Sequence, residues 1–304
     1  ERKGKNDIDF DFAFAKSETG IGLNQIKAAL TAAATDDKIK GVYLDVQFTQ
    51  AGFAHLKEIR DAILEFKKSG KYVYAYSSMF TQGAYYIASA ADKVFLYPKG
   101  GMEWKGLASE QIFFKDVMDK VGVKMQVIRG SNNKFKSAVE PFLVSHMSDA
   151  NREQITTYLG SIWNNLKSEI AASRKLSTED LESIAENYSI RTPQDDVDYG
   201  MIDGTIHRDE FTKMLLESNG NTDEVNKLSI EKYFKTLSKK DKVKSDEPIH
   251  KLEKIAIIYA NGEIGDGKGN KDAIGYNIAD ALKEAREDEK VKAVVLRVNS
   301  PGGS

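Results

Sequence analysis

One stretch of this chain occurs twice. TDDKIKGVYLDV (residues 35–46) aligns without a gap on EDEKVKAVVLRV (residues 287–298), pairing Asp36 with Asp288, Lys38 with Lys290, Lys40 with Lys292, Val42 with Val294, Leu44 with Leu296 and Val46 with Val298. The residues before each copy correspond as well, with Ile26, Ala29, Leu30 and Ala33 opposite Ile278, Ala281, Leu282 and Ala285. A period of about 250 residues is far too long for a solenoid and implies a duplicated domain. Each copy reads as an amphipathic helix followed by a short β-branched strand. The 304 residues therefore divide into a first repeat over 1–240, a charged linker over 241–252 and the beginning of a second repeat over 253–304.

Within the first repeat, Ile8, Phe10, Phe12 and Phe14 alternate with polar residues and predict an edge strand or arm. Helices are expected over 23–34 and 53–66, strands over 41–46 and 72–76, a short helix over 83–91, and a strand over 94–97 closed by Pro98. Strands alternating with helices argue for parallel pairing through right-handed crossovers. After a glycine-rich loop over 100–106, the pattern predicts a helix over 109–121, a strand over 124–128, a long helix over 149–174 and a helix capped at Ser177. A helix stop at Gly200 precedes another short strand. A helix near 230–237 leads into the linker, and an apolar strand from Lys254 opens the second repeat.

The charge balance, 44 basic against 46 acidic residues for a formal net charge of −2, lacks the basic excess that nucleic acid demands. There is no cysteine, which rules out disulfides and thiolate metal sites and leaves the compartment open. No apolar run reaches membrane-spanning length and ERKGKND resembles neither a signal peptide nor an anchor, so the chain as given reads as soluble. GEIGDGKG (262–269) approaches a phosphate-binding loop, but Gly269 stands where serine or threonine would hold magnesium. With Asp266 and Asn270 it also lacks the acidic ladder of a calcium loop, and it is taken as a plain strand-to-helix connection. His55, His146, His207 and His250 show no metal-ligand spacing, and neither a metal nor a cofactor is expected. Tyr85, Tyr86 and Trp104 read as core or subunit-contact residues, with an apolar substrate the other reading for Trp104.

Two stretches carry chemistry. The strand ending VVLRV runs into Ser300-Pro301-Gly302-Gly303, where proline stops the ladder and two glycines let backbone N–H groups turn outward. On these residues alone this is either a plain turn or an oxyanion hole. The second stretch is NKFKSAVEPF (133–142), with Lys134, Lys136 and Ser137. Together with the repeat, these segments resemble the signal peptide peptidase family (SppA, or protease IV) in its long duplicated form, over essentially the whole chain.

That resemblance implies a Clp protease/crotonase-like α/β fold of repeated strand-strand-helix units, with the first copy nearly complete. It implies a serine endopeptidase with a serine/lysine dyad that degrades cleaved signal peptides, the first copy supplying the lysine and the second the serine. The general base falls on Lys136, with Lys134 its rival, and the oxyanion donors on Gly302 and, above all, Gly303. A lysine can take a proton only after losing its own, which burial or neighbouring cations favour. In the first copy the oxyanion turn falls on Gln50 and Ala51, and Gln82, before Gly83, stands at the nucleophile position, so that copy is degenerate. The repeat offset puts the true serine about thirty residues beyond Ser304, so the chain is expected to be inactive alone, Ser137 and Ser304 being poor substitutes. The family further implies an N-terminal membrane anchor absent here, a periplasmic or exterior location, and a homo-oligomer, a tetramer. The rival readings are a crotonase-type acyl-CoA hydratase or isomerase and a non-catalytic assembly domain, the latter suggested by Gln82 and Ala51.

Overall fold

The computed structural model describes residues 21–49, 51–128, 130, 132–220, 224–237, 253–265, 275–300 and 302–303. The arm at Ile8–Phe14, the linker, Gln50, His250, Asp266, Asn270 and Ser304 lie outside them. The chain divides into two compact units, Glu1–Leu237 and Ser238–Ser304.

The first unit is built on a four-stranded sheet in the order β1 (Gly41–Leu44), β2 (Tyr72–Phe80), β3 (Lys93–Met102) and β4 (Gly204–Thr205), with every neighbouring pair parallel. The crossovers are α1 (Leu23–Thr35) leading into β1, α2 (Phe53–Lys67) between β1 and β2, and α3 (Gln82–Ala88) between β2 and β3. Period-two alternation assigns the two faces of the sheet. Val73 and Ala75 of β2, Val94 and Leu96 of β3, and Val42 and Leu44 of β1 join the main core with Leu30, Leu56, Ile63 and Phe66 from α1 and α2. The intervening Tyr72, Tyr74, Tyr76, Phe95, Tyr97 and Tyr43 form the opposite face. That face is covered by α9 (Arg208–Ser218) through Phe211 and Leu215, and the Phe211 ring stacks on Tyr76 at 5.0 Å.

Three helices are fastened by one side chain. Arg60 of α2 is wholly buried. Its guanidinium donates to Tyr86 O at 2.5 Å and Ser89 Oγ at 2.8 Å beside α3. It also donates to Glu169 O at 2.8 Å and Ser173 Oγ at 2.6 Å in α6 (Asp149–Arg174), and it lies over the Tyr86 ring. Trp104 is 3 % exposed, donates its indole N–H to Leu181 O at 2.8 Å and packs on Tyr85 and Trp163. It is a core residue, and the substrate-contact reading is withdrawn. The α7 helix (Thr178–Glu186) carries Leu181 and is capped as expected, the Ser177 hydroxyl accepting from the Asp180 N–H at 2.9 Å.

Several expectations are corrected. Pro98 does not close its strand; β3 continues to Met102, taking in Gly100 and Gly101 from the expected loop. The pairing jumps from Ser77↔Leu96 to Met79↔Gly101, so the proline sits in a bulge, where its missing N–H costs no ladder bond. Gly100 is required there, since a Cβ would lie 2.2 Å from Ser78 O. The helix over 109–121 shrinks to α4 (Lys115–Lys120), and no strand forms over 124–128, where Ile128 is 94 % exposed. That alternating stretch has no partner strand among the described residues.

A short α5 (Glu140–Leu143) precedes α6, α8 (Pro193–Asp198) stops at Gly200 (φ 71°), and α10 is Ile230–Thr236. The long helix, the stop at Gly200 and the helix near 230–237 form as expected, whereas α5, α9 and the extension of β2 to Phe80 were not foreseen.

In the second unit β5 (Lys254–Asn261) and β6 (Val291–Asn299) pair in parallel, joined by a crossover that contains α11 (Tyr276–Glu287). Ile258 and Ala260 are buried, whereas Val294 and Leu296 are exposed. Their repeat counterparts Val42 and Leu44 pack against the main core of the first unit. Among the described residues no helix is long and apolar enough to cross a membrane.

Candidate active site

Gln82, which the resemblance puts at the nucleophile position of the first copy, serves as a structural clamp. The β2 strand ends at Phe80 and Gln82 opens α3, so its side chain stands at a strand-to-helix turn, the place an exposed nucleophile would occupy. Gln82 Oε1 accepts the N–H groups of Lys105 at 3.1 Å and Gly106 at 3.2 Å, and its Nε2 donates to Gly106 O at 3.1 Å. A carboxamide supplies donor and acceptor together, which a hydroxyl at the same Cβ is too short to do here. The glutamine thus stitches the turn to the chain leaving β3. The neighbouring turn after β1 is held by Gln47, whose carbonyl accepts the Thr81 N–H at 2.9 Å. Ala51, expected at the oxyanion turn of this copy, is exposed.

Lys136 lies in an irregular stretch between α4 and α5 and is exposed, its N–H closing a turn on Asn133 O at 2.9 Å. Lys134 is exposed too, with its ammonium 4.8 Å from the centre of the Phe135 ring. Ser137 is half-buried and its carbonyl accepts the Glu140 N–H at 3.0 Å. Downstream the chain is anchored firmly: the Phe114 N–H donates to Pro141 O at 2.7 Å and the Phe114 and Phe142 rings stack at 5.9 Å. Pattern reading missed the polar half of that anchor. Glu140 accepts from Ser148 Oγ at 2.5 Å and Asn151 Nδ2 at 2.9 Å, across the N-terminus of α6. Ser148 is legible as an N-cap, because its hydroxyl accepts the Asn151 N–H three residues on. That Glu140 reaches it has no local signature.

In the second unit, Gly302 and Gly303 both have positive φ, 110° and 152°, which L side chains rarely adopt. The Gly302 carbonyl accepts the Ile264 N–H at 2.9 Å, its N–H donates to Ser300 Oγ at 3.1 Å, and a Cβ on Gly303 would lie 2.0 Å from Ile264 O. The turn after β6 is therefore a place only glycine fits, where β5 and β6 close upon each other.

A parallel sheet with helices on both faces, built from strand–helix–strand crossovers of which another occurs in the second unit, defines a Clp protease/crotonase-like α/β protein. Comparison with known proteins narrows the class. The family model described as Peptidase family S49 matches residues 65–220, which include both Gln82 and Lys136. The chain belongs to that family. It is similar to Protease 4 of Salmonella typhi, 34 % identical over 291 residues that make up 93 % of this chain and 46 % of that protein. It is equally similar to Protease 4 of Haemophilus influenzae, 34 % identical over 299 residues, 93 % of this chain and 47 % of the relative. The chloroplastic serine protease SPPA of Arabidopsis thaliana is 30 % identical over 300 residues, 95 % of this chain and 42 % of that protein. The chain thus spans a little under half the length of each of these relatives.

Proposed function

We propose that this chain is the lysine-bearing part of a membrane-anchored serine endopeptidase that degrades cleaved signal peptides outside the cytoplasm. Lys136 is the general base and Gly303, seconded by Gly302, donates to the oxyanion. The nucleophilic serine comes from sequence beyond Ser304, and the chain alone is inactive. The observation that carries this reading is the division of labour between the copies. In the first, the nucleophile position is consumed by the three hydrogen bonds of Gln82, while the second keeps a turn that admits only glycine.

In the reaction, Lys136 as a neutral amine takes the serine proton as oxygen attacks the scissile carbonyl. The oxyanion then forms against the turn N–H groups, and the resulting lysine ammonium returns its proton to the leaving amine. Because Lys136 is exposed in the first unit, the reading requires that the rest of the protein, or a neighbouring copy in a tetramer, close over it and favour the neutral amine. An assembly module without catalysis is the second reading, favoured by the structural use of Gln82.

The two separate on labelling the full-length protein with a phosphonylating serine reagent and mapping the adduct by mass spectrometry. We expect one modified serine, followed by glycine, about thirty residues beyond Ser304. Modification of Ser137 or Ser304, or of no serine while hydrolysis persists, would overturn the proposal.

A further inference from the structure

The polar anchor downstream of Lys136 is more than a helix cap. The N-cap side chain accepts from one N–H of the first turn, and the Ser148 hydroxyl does so from Asn151 N–H at 3.2 Å. Glu140 adds a second layer. One carboxylate oxygen takes the Ser148 hydroxyl proton, and the other takes Asn151 Nδ2–H at 2.9 Å and the Ser148 N–H at 3.4 Å. The Asn151 amide, 3 % exposed, also donates to Gln111 Oε1 at 3.0 Å. Gln111 lies ahead of α4, so this buried amide gathers the chain before α4, the short helix α5 and the start of α6 around one carboxylate. Charge-assisted bonds to a helix N-terminus are among the stronger contacts available.

This network holds the end of a segment that is otherwise loosely built. Among the described residues between α4 and Glu140 no regular element forms, and the turn at Asn133 O and the Glu140 N–H to Ser137 O bond are local ties on either side of Lys136. Glu140 is four residues beyond Lys136. Its carboxylate therefore fixes where the lysine stem leaves the body of the unit.

We infer that Glu140, held by Ser148 and Asn151, is a positioning residue for Lys136: it orients the base without touching the substrate. The inference rests on the reading of Lys136 as general base. Losing the carboxylate lets the Lys136 turn drift, and displacement of a catalytic group by about 1 Å is enough for a loss of order a hundredfold.

The test uses the full-length protein and a fluorogenic peptide substrate, with kcat and KM measured for Glu140→Gln, Asn151→Asp, the double variant and Lys136→Ala. In Glu140→Gln one amide oxygen is left where three donors converge on two; in Asn151→Asp two carboxylates face one another; the double variant restores a donor opposite an acceptor. We expect each single variant to lower kcat by about 10- to 100-fold with KM within about twofold, and the double to recover most of it. Glu140→Gln at wild-type kcat, or a double variant no better than the singles, overturns the inference. If Glu140→Gln does not fold, Asn151→Asp against the double decides in the same way. Lys136→Ala at wild-type kcat would instead refute the base itself, whatever the Glu140 variants do.

Discussion

Asp196 allows a quantitative prediction about the first unit. It lies in α8, wholly buried, and neither carboxylate oxygen has a hydrogen-bond partner. Its neighbour Asp195 is spent on capping α8, accepting the Arg191 N–H at 2.9 Å and the Thr192 N–H at 2.7 Å. Arg174, near the end of α6, pairs with Asp203 at 2.9 Å. Burial first, and the Asp195 charge second, push the Asp196 carboxyl up to about 7. Below about pH 4 the group is protonated in both folded and unfolded chains and contributes nothing. Between pH 4 and 7 the unfolded chain ionises it while the folded chain holds the proton, so stability falls as pH rises and levels off above 7. A shift of about three units corresponds to roughly 4 kcal/mol. Asp196→Asn removes the charge and leaves a neutral polar group. Its stability relative to wild type should climb by about 1.4 kcal/mol per pH unit from pH 4 to 7, then stay flat. Urea unfolding at successive pH values, followed by the fluorescence of Trp104 and Trp163, the two tryptophans of the chain, reads this directly. Parallel pH dependences for wild type and Asp196→Asn would refute the reasoning.

Three further outcomes follow from the same packing. Arg60→Met removes the guanidinium bonds that tie α3 and α6 to α2, at Tyr86 O, Ser89 Oγ, Glu169 O and Ser173 Oγ, and should cost about 3–5 kcal/mol, seen as a lowered Tm by tryptophan fluorescence; an unchanged Tm would mean that the guanidinium does not hold the three helices. Gln82→Ser should create no new activity and, by leaving the Lys105 and Gly106 N–H groups unpaired, should cost about 1–3 kcal/mol in the same assay. Gly303→Ala places a methyl against Ile264 O and should lower kcat of the full-length enzyme by about a hundredfold or more, whereas wild-type kcat in a folded variant would remove Gly303 from the oxyanion site.

How much of this was legible in the sequence depends on how local the cause is. The two faces of the sheet follow from YVYAY and KVFLY, because alternation is a property of a strand alone. The buried arginine clamp is not legible, since Arg60 finds its acceptors 26 and 109 residues away, and a charged residue in an amphipathic helix ordinarily faces water. KMQVI at 124–128 has the strand pattern without a strand, because a strand needs a partner and the described residues offer none there. Pro98 misled for a related reason: it ends a ladder only where its N–H would have been used, and a bulge spares it. The candidate site divides similarly. The glycine turn was legible in its own Pro-Gly-Gly motif and Gln82 was singled out through the family resemblance, but Gln82's three partners and Glu140's grip on α6 are tertiary contacts without sequence periodicity.

The most direct test of the central claim is the steady-state rate of peptide hydrolysis by the full-length protein carrying Lys136→Ala, with the melting temperature of the variant as the check on folding. The account predicts a kcat lower by about 10²–10⁴-fold, the contribution of a lost general base, at an unchanged Tm. Wild-type kcat in that variant, above all if Lys134→Ala abolished it, would contradict the assignment of the base.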